Sequence, residues 1–115
     1  MTWEVEATEQ VKAWMWQLDQ PTKEALISAL GLLREFGPNL GRPYVGKIVG
    51  SKLKNLKELR PTSNGFSHQR VLFAFDTNRR AILLVAGNKA GQWKKWYKIH
   101  IPLAEELFQT HLEEK

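Results

Sequence analysis

The sequence predicts a small α+β domain in which an N-terminal strand and a helical hairpin pack on an antiparallel sheet, followed by a C-terminal helix. Three observations lead to this class: the alternating "WEVEA" (3–7), two helical apolar stripes within residues 8–36, and the β-type runs "RVLFAFD" (70–76) and "AILLVAG" (81–87). A chain of 115 residues is long enough for one core, so residues 1–115 are predicted to form a single domain.

The N-terminal third is predicted to contain one strand and two antiparallel helices. Thr8 can cap the first helix, and Pro21 with Thr22 opens the second, which ends at "FGP" (36–38). Trp16 lies off the stripe of the first helix. The apolar residues expected to face the sheet are Trp3, Val5 and Ala7 in the strand, Val11, Trp14, Met15 and Leu18 in the first helix, and Leu26, Ala29, Leu30 and Leu33 in the second.

A loop and three strands are predicted next. "NLGRPYVGKIVGSK" (39–52) is loop-like because it contains three glycines and a proline. The end of "KNLKELR" (54–60) and the runs "RVLFAFD" and "AILLVAG" are predicted strands, and the last is central because it is apolar on both faces. Alternation in "RVLFAFD" places Val71, Phe73 and Phe75 on one face and Arg70, Leu72, Ala74 and Asp76 on the other.

The final helix is predicted to begin at Pro102. Proline is favoured at the first helical position, and Glu105 with Glu106 in the first turn suits the helix dipole. The residues predicted to face inward are Leu103, Leu107, Phe108 and Leu112.

Basic charge is concentrated in one segment. Residues 42–98 hold 13 Lys and Arg against Glu58 and Asp76, a balance of +11, whereas the flanks hold 4 basic and 10 acidic residues, a balance of −6, within a net charge of +5. A basic region of this kind is expected in a protein that binds a polyanion, and nucleic acid is the commonest one. A solubilising lysine-rich surface is the alternative.

Composition also excludes several classes of protein. The chain has no cysteine, which excludes a disulfide framework, a thiolate metal site and a cysteine nucleophile. The start "MTWEVEATEQ" is acidic, unlike a signal peptide, and no apolar run approaches the roughly 20 residues of a membrane span. We therefore expect a cytoplasmic protein that does not contact a membrane.

The stretch "GNKAGQWKKWYK" (87–98) combines four lysines with three aromatic residues and no acid. Lysines can neutralise phosphates while Trp93 or Tyr97 stacks on unpaired bases, which is how single-stranded RNA is commonly held. Trp96 is expected instead to pack against the sheet and anchor the last helix, because large rings are usually at least partly buried.

Four segments resemble the RelE/HigB branch of toxins from type II toxin–antitoxin systems: "KELRP" (57–61), "RVLFAFD", "AILLVAGNKAG" (81–91) and "WYKIHIPLAEEL" (96–107). The resemblance covers nearly the whole chain and extends to the wider RelE/ParE superfamily. It implies a RelE-like α+β fold and an endoribonuclease that cleaves messenger RNA on the ribosome. It also implies neutralisation by an antitoxin encoded nearby, often one with a helix-turn-helix.

The residues themselves favour metal-independent chemistry without a cofactor. The basic segment has two carboxylates, Glu58 and Asp76, and the histidines at positions 68, 100 and 111 share no ligand-like spacing. These residues do not support metal-dependent cleavage of RNA, which leaves cleavage by the 2′-hydroxyl of the RNA itself. This reaction requires a base, an acid and cations that stabilise the phosphorane.

Arg60 and Arg70 are expected to lie near each other at one rim of the sheet and to hold the scissile phosphate. Pairing of Arg60 with Glu58 is the plain structural alternative. The general base stays open between Lys94, Lys95 and His68, and His68 could equally be a surface residue. The predicted catalytic residues are Arg60, Arg70, Lys89, Lys94 and Tyr97, and the predicted RNA-binding residues are Lys57, His68, Trp93, Lys95 and Lys98.

Two other functions remain open at this point. A ParE-like topoisomerase inhibitor would share the fold without needing a nuclease site. A non-catalytic RNA-binding module would need the charge and the rings but no acid–base pair.

Overall fold

The computed structural model describes residues 2–61 and 68–114, in which helices cover both faces of one five-stranded sheet. The elements in chain order are β1 (Glu4–Ala7), α1 (Glu9–Gln17), α2 (Gln20–Phe36), a 3₁₀ turn (Gly37–Asn39), β2 (Val45–Lys47), β3 (Lys57–Leu59), β4 (Gln69–Phe75), β5 (Arg80–Asn88) and α3 (Trp93–Glu113). The predicted α+β class is confirmed. None of the described helices has an apolar stretch long enough to cross a membrane.

The strand order is β1-β5-β4-β3-β2. β1 joins β5 in parallel, and all other neighbouring strands are antiparallel, so the sheet is mixed. The run "AILLVAG" lies in β5 between β1 and β4, which confirms that it is a central strand. Part of the β3–β4 connection, residues 62–67, lies outside the described residues.

The helical hairpin packs as the apolar stripes predict. Thr8 caps α1, because its hydroxyl accepts a hydrogen bond from the Val11 amide and donates one to the Leu84 carbonyl. The buried hairpin residues are Val11, Leu18, Leu26, Ala29, Leu30 and Leu33, which pack with Val71 and Phe73 of β4. The other face of β4 contributes Leu72 and Ala74 to a second core beneath α3, so the predicted alternation is confirmed.

The loop predicted over residues 39–52 is wrong in part, because it contains β2. This strand is only three residues long, and Gly46 at its centre leaves no alternating side-chain pattern to detect. The sheet therefore has four strands after the hairpin, where the sequence predicted three.

The predicted start of the last helix is also wrong: α3 begins at Trp93, and Pro102 lies inside it. A proline within a helix costs about 3 kcal/mol, which burial of large apolar side chains at about 1.5–3 kcal/mol each can offset. Trp96 and Phe108 provide this burial on the two sides of Pro102. Trp96 thus anchors the helix as predicted.

The inward face of α3 differs accordingly. Leu103 and Leu112 are 37% and 39% exposed, so they do not face inward, whereas Phe108 does and Ala104 is fully buried. The two glutamates predicted for the first turn lie in the middle of the helix. Glu105 instead accepts hydrogen bonds from the Ser51 hydroxyl and the Lys52 amide, which ties the β2–β3 loop to α3.

Candidate active site

Five polar side chains from separate parts of the chain meet at one end of the sheet beside the first turns of α3. Because residues two apart on an extended strand share a face, Glu58 of β3 and the next residue but one, Arg60, point the same way. Glu58 lies opposite Leu72 in the strand register, which brings Arg70 of β4 to the same face. Lys89 follows β5 and Tyr97 comes from α3. We call these five residues the Glu58 cluster.

Glu58 is the centre of the cluster and is only 5% exposed. Its Oε2 accepts hydrogen bonds from Arg60 Nη2 at 2.8 Å and Nε at 3.2 Å. Its Oε1 accepts one from the Tyr97 hydroxyl and lies 3.9 Å from Arg70 Nε. One buried carboxylate therefore holds two guanidinium groups and a phenol, and the structural pairing of Arg60 with Glu58 is present.

Two glycines give the cluster its space. Gly46 of β2 lies opposite Glu58, and a Cβ there would come within 2.8 Å of Arg60 Nη2. Gly87 of β5 lies opposite Arg70, and a Cβ there would come within 2.7 Å of Trp96 Nε1. The first glycine admits the Arg60 side chain, and the second lets α3 pack closely beside the cluster.

The environment shifts the pKa of two members. Burial, followed by the hydrogen bond and negative charge of Glu58, raises the pKa of Tyr97 well above its usual range, so the phenol stays protonated at neutral pH. Burial, followed by repulsion from Arg70 and Arg60, lowers the pKa of Lys89, although Glu58 opposes this shift. Lys89 Nζ lies 5.8 Å from the centre of the Tyr97 ring. Three cations surround one carboxylate, which leaves an excess of positive charge for an anion.

Two clefts extend from the cluster along α3. The first, of about 360 Å³, has Glu58 and Tyr97 in its wall together with Trp93, Lys94 and Lys47. The second, of about 400 Å³, shares Lys94 and Tyr97 with the first and adds Lys52 and Lys98. Three of the predicted residues, Trp93, Lys94 and Lys98, are thus brought beside the cluster.

Three predicted residues lie neither in the Glu58 cluster nor in the walls of its two clefts. Lys95 is exposed and lines neither cleft. His68 is exposed, and its carbonyl accepts a hydrogen bond from the Lys89 amide. Lys57 lies on the opposite face of the sheet, where its Nζ is 5.5 Å from the Phe75 ring centre; burial and nearby Lys47 lower its pKa.

From the sequence alone, Glu58 is expected only to pair with Arg60. A signal was present, because Glu58 is one of two acids in a segment with 13 basic residues and precedes Arg60 by two positions on a predicted strand. An isolated acid held inside a basic segment is a candidate for a function of its own. Among residues 2–61 and 68–114, no group of three His, Asp or Glu could hold a metal ion.

The fold places this protein in a structural class. A crystal structure of an archaeal RelE–RelB complex from Pyrococcus horikoshii contains a similar chain, with a TM-score of 0.62 and 17% identity over 79% of this chain and 99% of that one. At this identity the likeness shows the fold alone, which is that of RelE.

Comparisons at higher identity show the family. Residues 13–109 match the family described as phage-derived protein Gp49-like. Two Mycobacterium tuberculosis proteins, the candidate toxins HigB2 and HigB3, are 51% identical over 104 residues and 45% identical over 103 residues. Each match covers 90% of this chain, but 52% of HigB2 and 88% of HigB3, so the chain spans about half the length of HigB2. The chain therefore belongs to the Gp49-like family of RelE/HigB toxin homologues, as its sequence segments predicted.

Proposed function

We propose that the protein is the toxin of a type II toxin–antitoxin pair and cleaves messenger RNA, in association with the ribosome, by acid–base chemistry of its own side chains. The Glu58 cluster carries this proposal. It combines an excess of positive charge, a buried carboxylate and a protonated phenol beside two open clefts. The names of HigB2 and HigB3 support the toxin part of this proposal.

In the proposed reaction, the 2′-hydroxyl of the RNA attacks the adjacent phosphate. Arg60 and Arg70 stabilise the charge of the phosphorane, as preorganised donors do in other enzymes. The Arg60 side chain is 24% exposed, so an incoming phosphate can draw it away from Glu58 Oε2. That oxygen then accepts the proton of the 2′-hydroxyl, which makes Glu58 the general base.

Lys89 is the proposed general acid. Its lowered pKa makes its ammonium group a better proton donor than an ordinary lysine, and the 5′-oxygen of the leaving nucleotide receives the proton. Tyr97 is a positioning residue, because its hydroxyl donates a hydrogen bond to Glu58 Oε1 and so fixes the orientation of that carboxylate. Glu58 and Lys89 thus take the proton-transfer roles for which the sequence alone offers Lys94, Lys95 and His68.

The clefts along α3 are the proposed path of the RNA strand. Trp93 is exposed and offers a ring to a base, and Lys94 Nζ lies 5.5 Å from the ring centre. Lys94 and Lys98 are then available to phosphates on either side. The proposed partner that prevents cleavage is an antitoxin with a helix-turn-helix, encoded beside this chain.

The test is to map RNA ends after induced expression, with Glu58→Gln as the matched inactive control. We expect in-frame cuts within translated messages in cells that express the natural chain and none with the control. Intact messages accompanied by DNA damage would refute the nuclease and favour a topoisomerase inhibitor.

A further inference from the structure

The α1–α2 hairpin carries an apolar groove that is separate from the Glu58 cluster. This groove, of about 370 Å³, is lined by Met15, Leu26 and Ile27 and bordered by Trp16. Trp16 is 81% exposed and Ile27 is 66% exposed, although both are large apolar side chains. Contiguous exposed apolar surface of this kind marks a site of interaction with another molecule.

The groove continues towards the edge of the sheet. A second depression, of about 400 Å³, shares Lys12 and Met15 with the first and reaches Leu30 and the β1 residues Val5 and Ala7. β1 is an edge strand, so the continuous surface runs from the exposed side of α1 and α2 to the edge of the sheet. We call this surface the hairpin groove.

Charge is distributed unevenly around the hairpin groove. Residues 1–41 contain three basic residues and six acidic ones, a balance of −3. All three basic residues, Lys12, Lys23 and Arg34, line the hairpin groove. Among its described lining residues, Glu6 alone is acidic, and its Oε2 is paired with Arg80 Nη1 at 2.8 Å. Lys12 Nζ is paired with the exposed Glu9 Oε2 at 3.3 Å, so Lys23 and Arg34 contribute most of the positive border around the apolar floor.

We propose that the hairpin groove binds an acidic amphipathic segment of the antitoxin, an inference that rests on the proposed function. Apolar side chains of that segment would fill the floor, and its carboxylates would face the three basic residues, a complementarity that speeds association and selects the partner. A second copy of this chain would bring two positive borders together. An RNA strand would place its phosphates over the aliphatic floor, and Trp16 is the one aromatic residue among the described lining residues.

The position of the groove separates anchoring from inhibition. The hairpin packs on the face of the sheet opposite to α3, whereas the Glu58 cluster lies on the α3 face. A segment bound in the hairpin groove therefore anchors the antitoxin without touching the proposed RNA site. A different part of the antitoxin has to cover Glu58.

The test measures, by titration calorimetry, the affinity of the full chain for the protein encoded by the adjacent reading frame. Ile27→Glu puts a carboxylate on the groove floor, and the matched control Ile99→Glu makes the same change at a 53% exposed site on α3. Both are made in the Glu58→Gln background so that the host can grow. We expect Ile27→Glu to weaken binding on the order of 30-fold or more, as loss of an interface hot spot does, and Ile99→Glu to leave it unchanged.

A charge-reversal variant and measurements of sedimentation, RNA affinity and RNA cleavage complete the test. Lys23→Glu should weaken binding less than Ile27→Glu and should reduce its salt dependence. Unchanged antitoxin affinity for Ile27→Glu overturns the proposal. Loss of a dimer in sedimentation would then assign the groove to a second copy of the chain, and loss of RNA affinity would assign it to RNA.

Cleavage of RNA by the natural chain is assayed separately. Intact RNA together with Ile27-dependent binding would refute the nuclease while leaving the groove as the docking site.

Discussion

The two faces of the sheet are built from the same strands but carry different chemistry. On the hairpin face, Val71 and Phe73 of β4 pack beneath the buried stripes of α1 and α2. On the α3 face, Leu72 and Ala74 of the same strand form a second core, and two residues before Leu72 the side chain is Arg70. The hairpin covers its face with apolar side chains, whereas the first turns of α3 cover a charged carboxylate and its partners.

The difference shows how the short strand β3, which carries Glu58, can contribute both to stability and to the proposed chemistry. Glu58 is buried beside a packed core, and a buried carboxylate is stable only when paired and hydrogen-bonded. Arg60, Arg70 and Tyr97 supply those partners, and they are also the groups that we propose for RNA cleavage. The hairpin face has no comparable cluster within the part of the chain that the structure describes.

The largest effect is expected for Glu58→Gln, which keeps the shape of the side chain and removes its charge. Loss of the general base should reduce the cleavage rate by about 10²–10⁴ in a single-turnover RNA assay. Circular dichroism of the same preparation checks that the chain is folded. A folded Glu58→Gln protein that cleaves RNA at the natural rate would remove Glu58 from the mechanism.

Arg60→Ala should have the next largest effect, a rate loss of about 10²–10³, because one preorganised donor to the phosphorane is lost. The melting temperature should also fall, because buried Glu58 loses two hydrogen bonds, so circular dichroism at the assay temperature checks that the variant is folded. Lys12→Ala removes a cation from the hairpin face and is the control. Equal losses for the two variants would mean that general electrostatic attraction, rather than the Glu58 cluster, controls the rate.

Lys89→Arg tests the general acid through the pH profile. The pKa of Lys89 is lowered from 10.5, so cleavage by the natural chain should fall as the pH rises through that lowered value, where the ammonium loses its proton. Arginine stays protonated over this range and donates poorly, so the variant should lose both the alkaline fall and about 10² in rate. Persistence of the same alkaline fall would assign it to another group.

The smallest effect is expected for Tyr97→Phe, which keeps the ring and removes the hydroxyl that orients Glu58. Loss of one hydrogen bond, about 1.4 kcal/mol, corresponds to about a tenfold slower rate. The pKa of Tyr97 is raised above 10.0, so its phenol does not titrate below that pH and the pH profile should keep its shape. A loss of 10³ or more would instead make Tyr97 a direct proton donor.

Elements whose pattern is local can be predicted from the sequence. The stripes of α1 and α2, the Thr8 cap and the alternation in β4 each repeat within one element, and burial follows such periodicity directly. The concentration of basic charge in residues 42–98 can also be seen in the sequence, and together with the aromatic residues of the stretch 87–98 it points to Arg60, Arg70, Lys89 and Tyr97 as candidates.

Which side chains meet in the Glu58 cluster depends on the tertiary structure. Glu58 acquires its partners from the register of β3 with β4 and from the docking of α3, and neither is encoded by local spacing. The same holds for β2, which exists as a partner of β3, and for the continuation of α3 across Pro102, which depends on the burial of Trp96 and Phe108 against the sheet. A local rule gives the intrinsic preference of a segment, whereas contacts worth several kcal/mol from distant parts of the chain can reverse it.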